Sequence, residues 1–170
     1  MSIPNPSGEW NGVVPLEQQP LHQYQELCES FFFQWPRLSR GSYSQRLAMV
    51  WGGVAVLVAP LVAASFSPIQ DFAHFGLVGV IAANSLLALG LLHLLLGWHY
   101  IHQRLTSPEI LYEESGWYDA ATYTKTQEEW LQHRLIGQHQ VEPILRRLTT
   151  TLLLLLGITA VAVGLWMGLA

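Results

Sequence analysis

Apolar and polar positions alternate on a coarse scale along this chain. Three long apolar stretches occupy about Leu47 to Phe66, Phe72 to His99 and Leu148 to Gly168. Each is long enough to cross a bilayer, which takes about 20 apolar residues at ~1.5 Å rise. The run "TLLLLLGITAVAVGLWMGLA" has no polar face to offer water, so these stretches are not surface helices of a soluble protein. Between the first two, "SFSPIQD" places a helix-breaking Pro68 ahead of Asp71, which is suited to cap the following helix. The pattern predicts an all-α integral membrane protein with three transmembrane helices. Residues 1–46 form an N-terminal segment, 47–103 a transmembrane hairpin, 104–147 a structured loop, and 148–170 the third span.

Before the first span, Pro20 is expected to open an amphipathic helix over about 20–35 that ends before Pro36. At 3.6 residues per turn, Leu21, Tyr24, Leu27, Cys28, Phe31, Phe32 and Trp35 share one face, with Glu26 and Glu29 opposite. The polar face lacks basic residues, so the helix suits the membrane interface, the chain's own loop or a partner better than anionic lipid. In the loop, "TKTQEEWLQHRLIG" reads as a short helix, capped by Thr126, completed by Glu129 and ended by Gly137. Trp130 and Arg134 are i,i+4 neighbours placed to stack. Upstream, "EESGWYD" is turn-like around Gly116. The third span is expected to start outside the membrane at Glu142-Pro143, since proline is tolerated in a first helical turn.

Composition sharpens this picture. Charged residues are 12% of the chain, where a soluble domain carries roughly 25%. All eight Lys and Arg residues lie before the first span or between the second and third. With three crossings those regions share one side, and the positive-inside rule makes it cytoplasmic or, in a plastid, stromal. The Asp71 turn and the C-terminus then face the opposite compartment. No basic n-region followed by an apolar h-region opens the chain, so the first span is expected to direct insertion. The net charge of −4 argues against nucleic acid as a partner. The sole cysteine, Cys28, forms no internal disulfide and reads as a small buried hydrophobe. Tyr43, Trp98, Tyr100 and Trp166 fall near predicted interfaces, where amphipathic rings are favoured.

Inside the membrane, Gly157, Ala160, Gly164 and Gly168 share one face of the third span. Small residues let helices approach closely, so they predict a packing stripe, internal or for a partner. Gly76, Gly79, Ala83 and Gly90 are second-span candidates, and Pro60 is expected to bend the first span. Asn84, near mid-membrane, predicts a hydrogen bond across helices. His93 is the residue to ligate chlorophyll or haem, should a pigment such as these or a carotenoid be held. Against that, the first and third spans offer no second histidine, and an interfacial or packing role accounts for His93 better; His99 and His102 read as interface anchors. No cofactor is therefore predicted.

The loop carboxylates Glu113, Glu114, Asp119, Glu128 and Glu129, with His133 and His139, raise metal-assisted catalysis as an alternative. A di-iron centre expects paired Glu-x-x-His motifs. Here Glu129 to His133 is one residue too long and occurs once. No phosphate loop, zinc motif or nucleophile elbow appears, so no catalytic residue or metal is assigned. Tyr112, Glu113, Glu114, Trp117, Tyr118, Asp119 and Trp130, together with Tyr24, Phe31 and Trp35, are instead the expected partner-binding set, because large aromatics dominate binding energy.

The blocks "VPLEQQPLHQYQEL", "FFFQWP", "YEESGWYD" and "RLIGQHQVEPILRRL" resemble a small membrane-protein family of cyanobacteria and chloroplasts, the hypothetical chloroplast reading frame thirty-six family, conserved in the green lineage and diatoms. The resemblance runs from Val14 to about Leu148, and departs from the family where Ala120 replaces an expected Gly after Trp-Tyr-Asp. It implies a thylakoid or related photosynthetic membrane, with the N-terminus and loop stromal and the C-terminus lumenal. It also implies an auxiliary role in assembling, maintaining or protecting a photosynthetic complex, whose subunits and the lipid bilayer would be the partners. It supplies no catalytic motif.

Overall fold

The computed structural model describes residues 14–113 and 120–169. The chain begins with a single 3-10 turn and then α1 (Pro20–Glu29). Three long helices follow: α2 (Arg40–Ala63), α3 (Phe72–Thr106), and a rod made of α4 (Gln127–Ile136), a π-helical turn (Gly137–Val141) and α5 (Glu142–Leu169). All three are long and apolar enough to cross a membrane. Between α3 and α4, β1 (Glu109–Glu113) and β2 (Ala120–Thr124) pair antiparallel, with Tyr112 opposite Ala121. The hairpin is an addition to the all-helical expectation, with two strands of five residues each. Ile110 and Tyr112 are buried while Glu109, Leu111 and Glu113 are exposed, which is the period of two that a strand imposes.

The core is a seam between α3 and α5. Leu87, Leu91, Leu94, Trp98, Ile101 and Leu105 are buried along α3 at alternating spacings of four and three, the 3.5-residue repeat that keeps one stripe facing a neighbouring helix. Val141, Ile144, Leu148 and Leu155 supply the opposing stripe. Trp98 is wholly buried rather than interfacial, and its indole N–H donates to the Phe33 carbonyl at 3.1 Å. That bond explains why α1 stops at Glu29, short of the expected residue 35. Ser30 turns extended, the chain folds back, and Trp35 enters the core with Tyr24 and Trp98. Gly97 permits it, since a Cβ there would overlap the Phe33 ring.

The loop helix forms as expected but does not stand alone. α4 does end at Gly137, its C-cap, but the glycine's backbone stays right-handed helical and the rod continues as a π-helical turn. A Cβ on Gly137 would sit 3.2 Å from the Thr106 methyl, so the glycine serves the crossing of α4 over the end of α3. The π-helical turn behind it has a cause in Pro143, whose ring would press on the His139 carbonyl in an α-helix and which has no N–H to give it. In the wider turn the Glu142 N–H reaches back to the Gly137 carbonyl.

Within the membrane, one side chain bonds to both neighbouring helices. Asn84 of α3 accepts from the Trp51 indole of α2 at 2.8 Å and donates to the Thr159 hydroxyl of α5 at 3.2 Å. Asn84 is 3% exposed. Replacing it with leucine removes both bonds and strands the Trp51 N–H away from water, so stability is expected to fall by about 2 kcal/mol. Thermal unfolding in detergent reads this as a lowered midpoint, and an unchanged midpoint would show that the network carries no load.

The glycine stripes do not pack internally. Among the described residues nothing lies within 4 Å of a Cβ built on Gly157, Gly164 or Gly168, nor on Gly76, Gly79 or Gly90. Ala160 is exposed, whereas Ala83 is fully buried. Pro60 lies in the last turn of α2, three residues before its end, and has no N–H to give the Val56 carbonyl.

Candidate functional site

The polar chemistry concentrates at one end of the bundle, where α2 begins, α3 ends and the α4–α5 rod approaches the membrane. The last carbonyls of a helix have no partner within it and must find one elsewhere. At the end of α3 each does. Lys125, the chain's one lysine, is 6% exposed and its ammonium donates to the carbonyls of Arg104 at 2.8 Å, Leu105 at 3.1 Å and Ser107 at 2.7 Å. The remaining carbonyl, Thr106, accepts from the Trp130 indole at 2.9 Å. Burial and the nearby Arg104 charge lower the Lys125 pKa to about 8, so at neutral pH it keeps the proton that fills all three bonds.

Beneath this cap lies His133, 4% exposed. Burial and the Lys125 charge push its pKa down to about 4, so it is neutral at physiological pH. Glu129, placed in the sequence with a possible metal set, closes the capping box of α4. It accepts from the Thr126 N–H at 3.0 Å, while its own N–H donates to Thr126 Oγ1 at 3.4 Å. Among the described residues no group of three or more His, Cys, Asp or Glu side chains is arranged to hold a metal ion.

The four sequence blocks that carry the resemblance meet here through side chains. Gln18 grips β1 at both backbone groups of Glu113, donating to its carbonyl at 3.1 Å and accepting from its N–H at 2.8 Å. Arg104 donates to the Gln18 carbonyl at 2.9 Å, tying that block to the end of α3. The Tyr24 hydroxyl donates to Gln140 Oε1 at 2.6 Å. Arg147 donates to the carbonyls of Pro36 at 2.8 Å and Leu38 at 2.6 Å, with its guanidinium over the Tyr43 ring.

This geometry redistributes the expected partner-binding set. Tyr24, Trp35 and Tyr112 are buried, so their rings hold the fold together and have little surface left for a partner. Trp130 both caps α3 and carries Arg134 on its face at 5.1 Å, the stacking that their spacing predicts. Phe31 remains 73% exposed just after α1, and Glu113 is exposed at the end of β1. Glu114, Trp117, Tyr118 and Asp119, with the Gly116 turn, lie outside the described residues. His93 is exposed on α3 with its ring near those of Phe33 and Phe32, at 5.5 and 6.2 Å between centroids. His99 meets Gln103 at 3.0 Å on the same helix. Burial raises the Cys28 thiol pKa, in keeping with a packing role.

Sequence reasoning misses Gln18, Lys125, Gln140 and Arg147. A single lysine in so apolar a chain is a usable signal. Nothing in the spacing, however, pairs it with carbonyls some twenty positions earlier.

Comparison with known proteins gives a consistent picture. A family model described as "CGLD27-like: Conserved in the green lineage and diatoms 27" matches residues 12–154. The chain is 42% identical over 154 residues to the "uncharacterized protein ycf36" of Cyanophora paradoxa, covering 86% of this chain and 94% of that one. It is 38% identical to the protein of the same name in Pyropia yezoensis, over 82% of this chain and 84% of that one. Its identity to the chloroplastic protein "conserved in the green lineage and diatoms 27" of Arabidopsis thaliana is 36%, over 82% of this chain and 43% of that one. No solved structure matches.

Proposed function

Because the chain belongs to the CGLD27-like family, conserved in the green lineage and diatoms, we propose that it is a non-catalytic auxiliary protein of the thylakoid membrane. It acts by protein contact in the assembly, maintenance or protection of a photosynthetic complex. The chloroplastic Arabidopsis relative and the three apolar helices support the membrane assignment. The positive-inside rule supports a stromal or cytoplasmic position for the basic end.

The observation that carries the reading is the open small-residue face of α5. Many polar groups at the basic end bond within the protein, while Gly157, Ala160, Gly164 and Gly168 form a smooth strip that none of the described residues covers. In lipid, such a strip gains most by close approach of another transmembrane helix. The β hairpin, clamped by Gln18 and Arg104, gives the same protein a second contact at the basic end.

Leucine at both Gly157 and Gly164 meets open space within the chain, so it is expected to leave the melting temperature unchanged. The same variant should lose co-purifying membrane subunits of a photosynthetic complex when affinity-purified in mild detergent. Recovery of those subunits undiminished, or of wild-type protein without them, would overturn the proposal.

A further inference from the structure

At the basic end, a pocket of about 250 Å³ opens between α1, the Trp35–Arg37 turn and the start of α5. Its polar lining is Arg37, Arg147, His139, Gln140 and Tyr24, over an apolar floor that includes Ile144. Among the described residues no carboxylate lines it. Glu142, the acid nearest in sequence to this wall, is paired with Arg146 at 2.7 Å.

The donors are preset. Arg147 spends its Nη1 on the Pro36 and Leu38 carbonyls and rests on the Tyr43 ring, which fixes the guanidinium plane and leaves Nε–H and Nη2 for another acceptor. Tyr24 donates to Gln140 Oε1, which orients the amide and leaves its N–H groups for another acceptor. Arg37 makes one long contact, 3.5 Å to the Cys28 carbonyl, and is otherwise exposed. Two guanidiniums and an amide with no acid among them form an oxyanion cradle, since planar N–H forks match phosphate-like oxygens two at a time. Its depth identifies the source. Arg147 is the last charged residue before the apolar run of α5, and Arg40 opens α2, which puts the pocket where the membrane meets water. Basic pockets at that level receive lipid headgroups.

We infer that the Arg37–Arg147–Gln140 pocket binds the phosphate or sulfonate oxyanion of an anionic membrane lipid. The lipid's acyl chains would run down beside α5. The headgroup bridges α5 to the N-terminal segment, which otherwise meet here through Arg147 and Tyr24, and so reinforces the junction.

The test uses purified full-length protein in neutral detergent. Dioctanoyl phosphatidylglycerol, dioctanoyl phosphatidylcholine and inorganic phosphate are titrated separately, and both affinity and melting temperature are read. The anionic lipid is expected to bind and raise the melting temperature, with zwitterionic lipid and free phosphate far weaker. Arg37→Gln, an exposed position whose loss leaves the unliganded melting temperature unchanged, is expected to weaken the lipid by about tenfold. Arg147→Lys, which keeps the charge and loses the fork, is expected to do the same. Equal protection by free phosphate would overturn the lipid assignment. Undiminished lipid affinity in a folded Arg37→Gln, or equal binding of both lipids, would overturn the site.

Discussion

Replacing Lys125 with methionine is expected to destabilise the protein by about 4 kcal/mol, roughly twice the loss expected at Asn84. Methionine preserves most of the length and the apolar stem of the side chain, so the packing loss is small. The chemical loss is not, because three carbonyls at the end of α3 surrender a charged donor at once. A hydrogen bond to a charged group contributes ~1.5–3 kcal/mol, and a buried acceptor left unmade costs a further ~1–3 kcal/mol. The buried ammonium's desolvation, which the variant no longer suffers, offsets part of the sum. Thermal and denaturant unfolding in detergent measure the effect. Amide exchange should localise it to Gln103–Ser107 and the hairpin, which hangs from the same corner through the Lys125 N–H bond to Pro108. A loss below about 1 kcal/mol would mean that water reaches those carbonyls in the variant and the cap is dispensable.

The second large effect is an acid transition centred on His133. In the folded protein its pKa is lowered from 6.5 to about 4, by burial first and by the Lys125 charge second. The unfolded chain therefore takes up a proton at this residue before the folded one does. Stability is full above pH 6.5 and is lost progressively as pH falls toward 4, by about 3 kcal/mol at one pKa unit per 1.36 kcal/mol. His133→Gln, which does not titrate, should flatten the melting temperature against pH over that window. In Lys125→Met the repulsion is gone, so the folded-state pKa of His133 should rise toward 6.5 and the His133-linked acid loss should shrink. An acid profile identical in wild type and His133→Gln would place the transition elsewhere.

These two residues mark the boundary between what is legible in the sequence and what is not. The spans are readable because lipid imposes a length and an apolar composition that any helix crossing it must display, and α2, α3 and α5 display both. The Thr126–Glu129 capping box, the Trp130–Arg134 stack and the cross-helix bonding of Asn84 are readable because each follows from spacing along one helix or from one polar residue at a depth without water. What fails is what depends on position in space. Aromatic residues read as docking anchors, yet a tyrosine seen from outside and one folded inward have the same letter. Tyr24 and Tyr112 lie inward because Gln140 receives the first and the strand alternation turns the second toward the core, which no local pattern encodes. Gly137 ends α4 as its spacing predicts, but that the rod continues through it and crosses α3 there is not visible until the Thr106 methyl is in place.

The resemblance of the four sequence blocks acquires a physical meaning from this architecture. Gln18 holds Glu113, Tyr24 holds Gln140, and Arg147 holds the chain after Trp35, so blocks far apart in sequence build a single rigid end. The bonds these groups make to backbone carbonyls and to each other stiffen one end of the bundle.

A photo-crosslinking residue placed at Gly164, on the open face of α5, tests the central claim most directly, with the same residue at the buried Leu94 as a control. Irradiated in native membranes, the Gly164 probe is predicted to give one discrete adduct containing a transmembrane subunit of a photosynthetic complex, and the Leu94 probe none. Adducts with lipid alone at Gly164 would contradict the account.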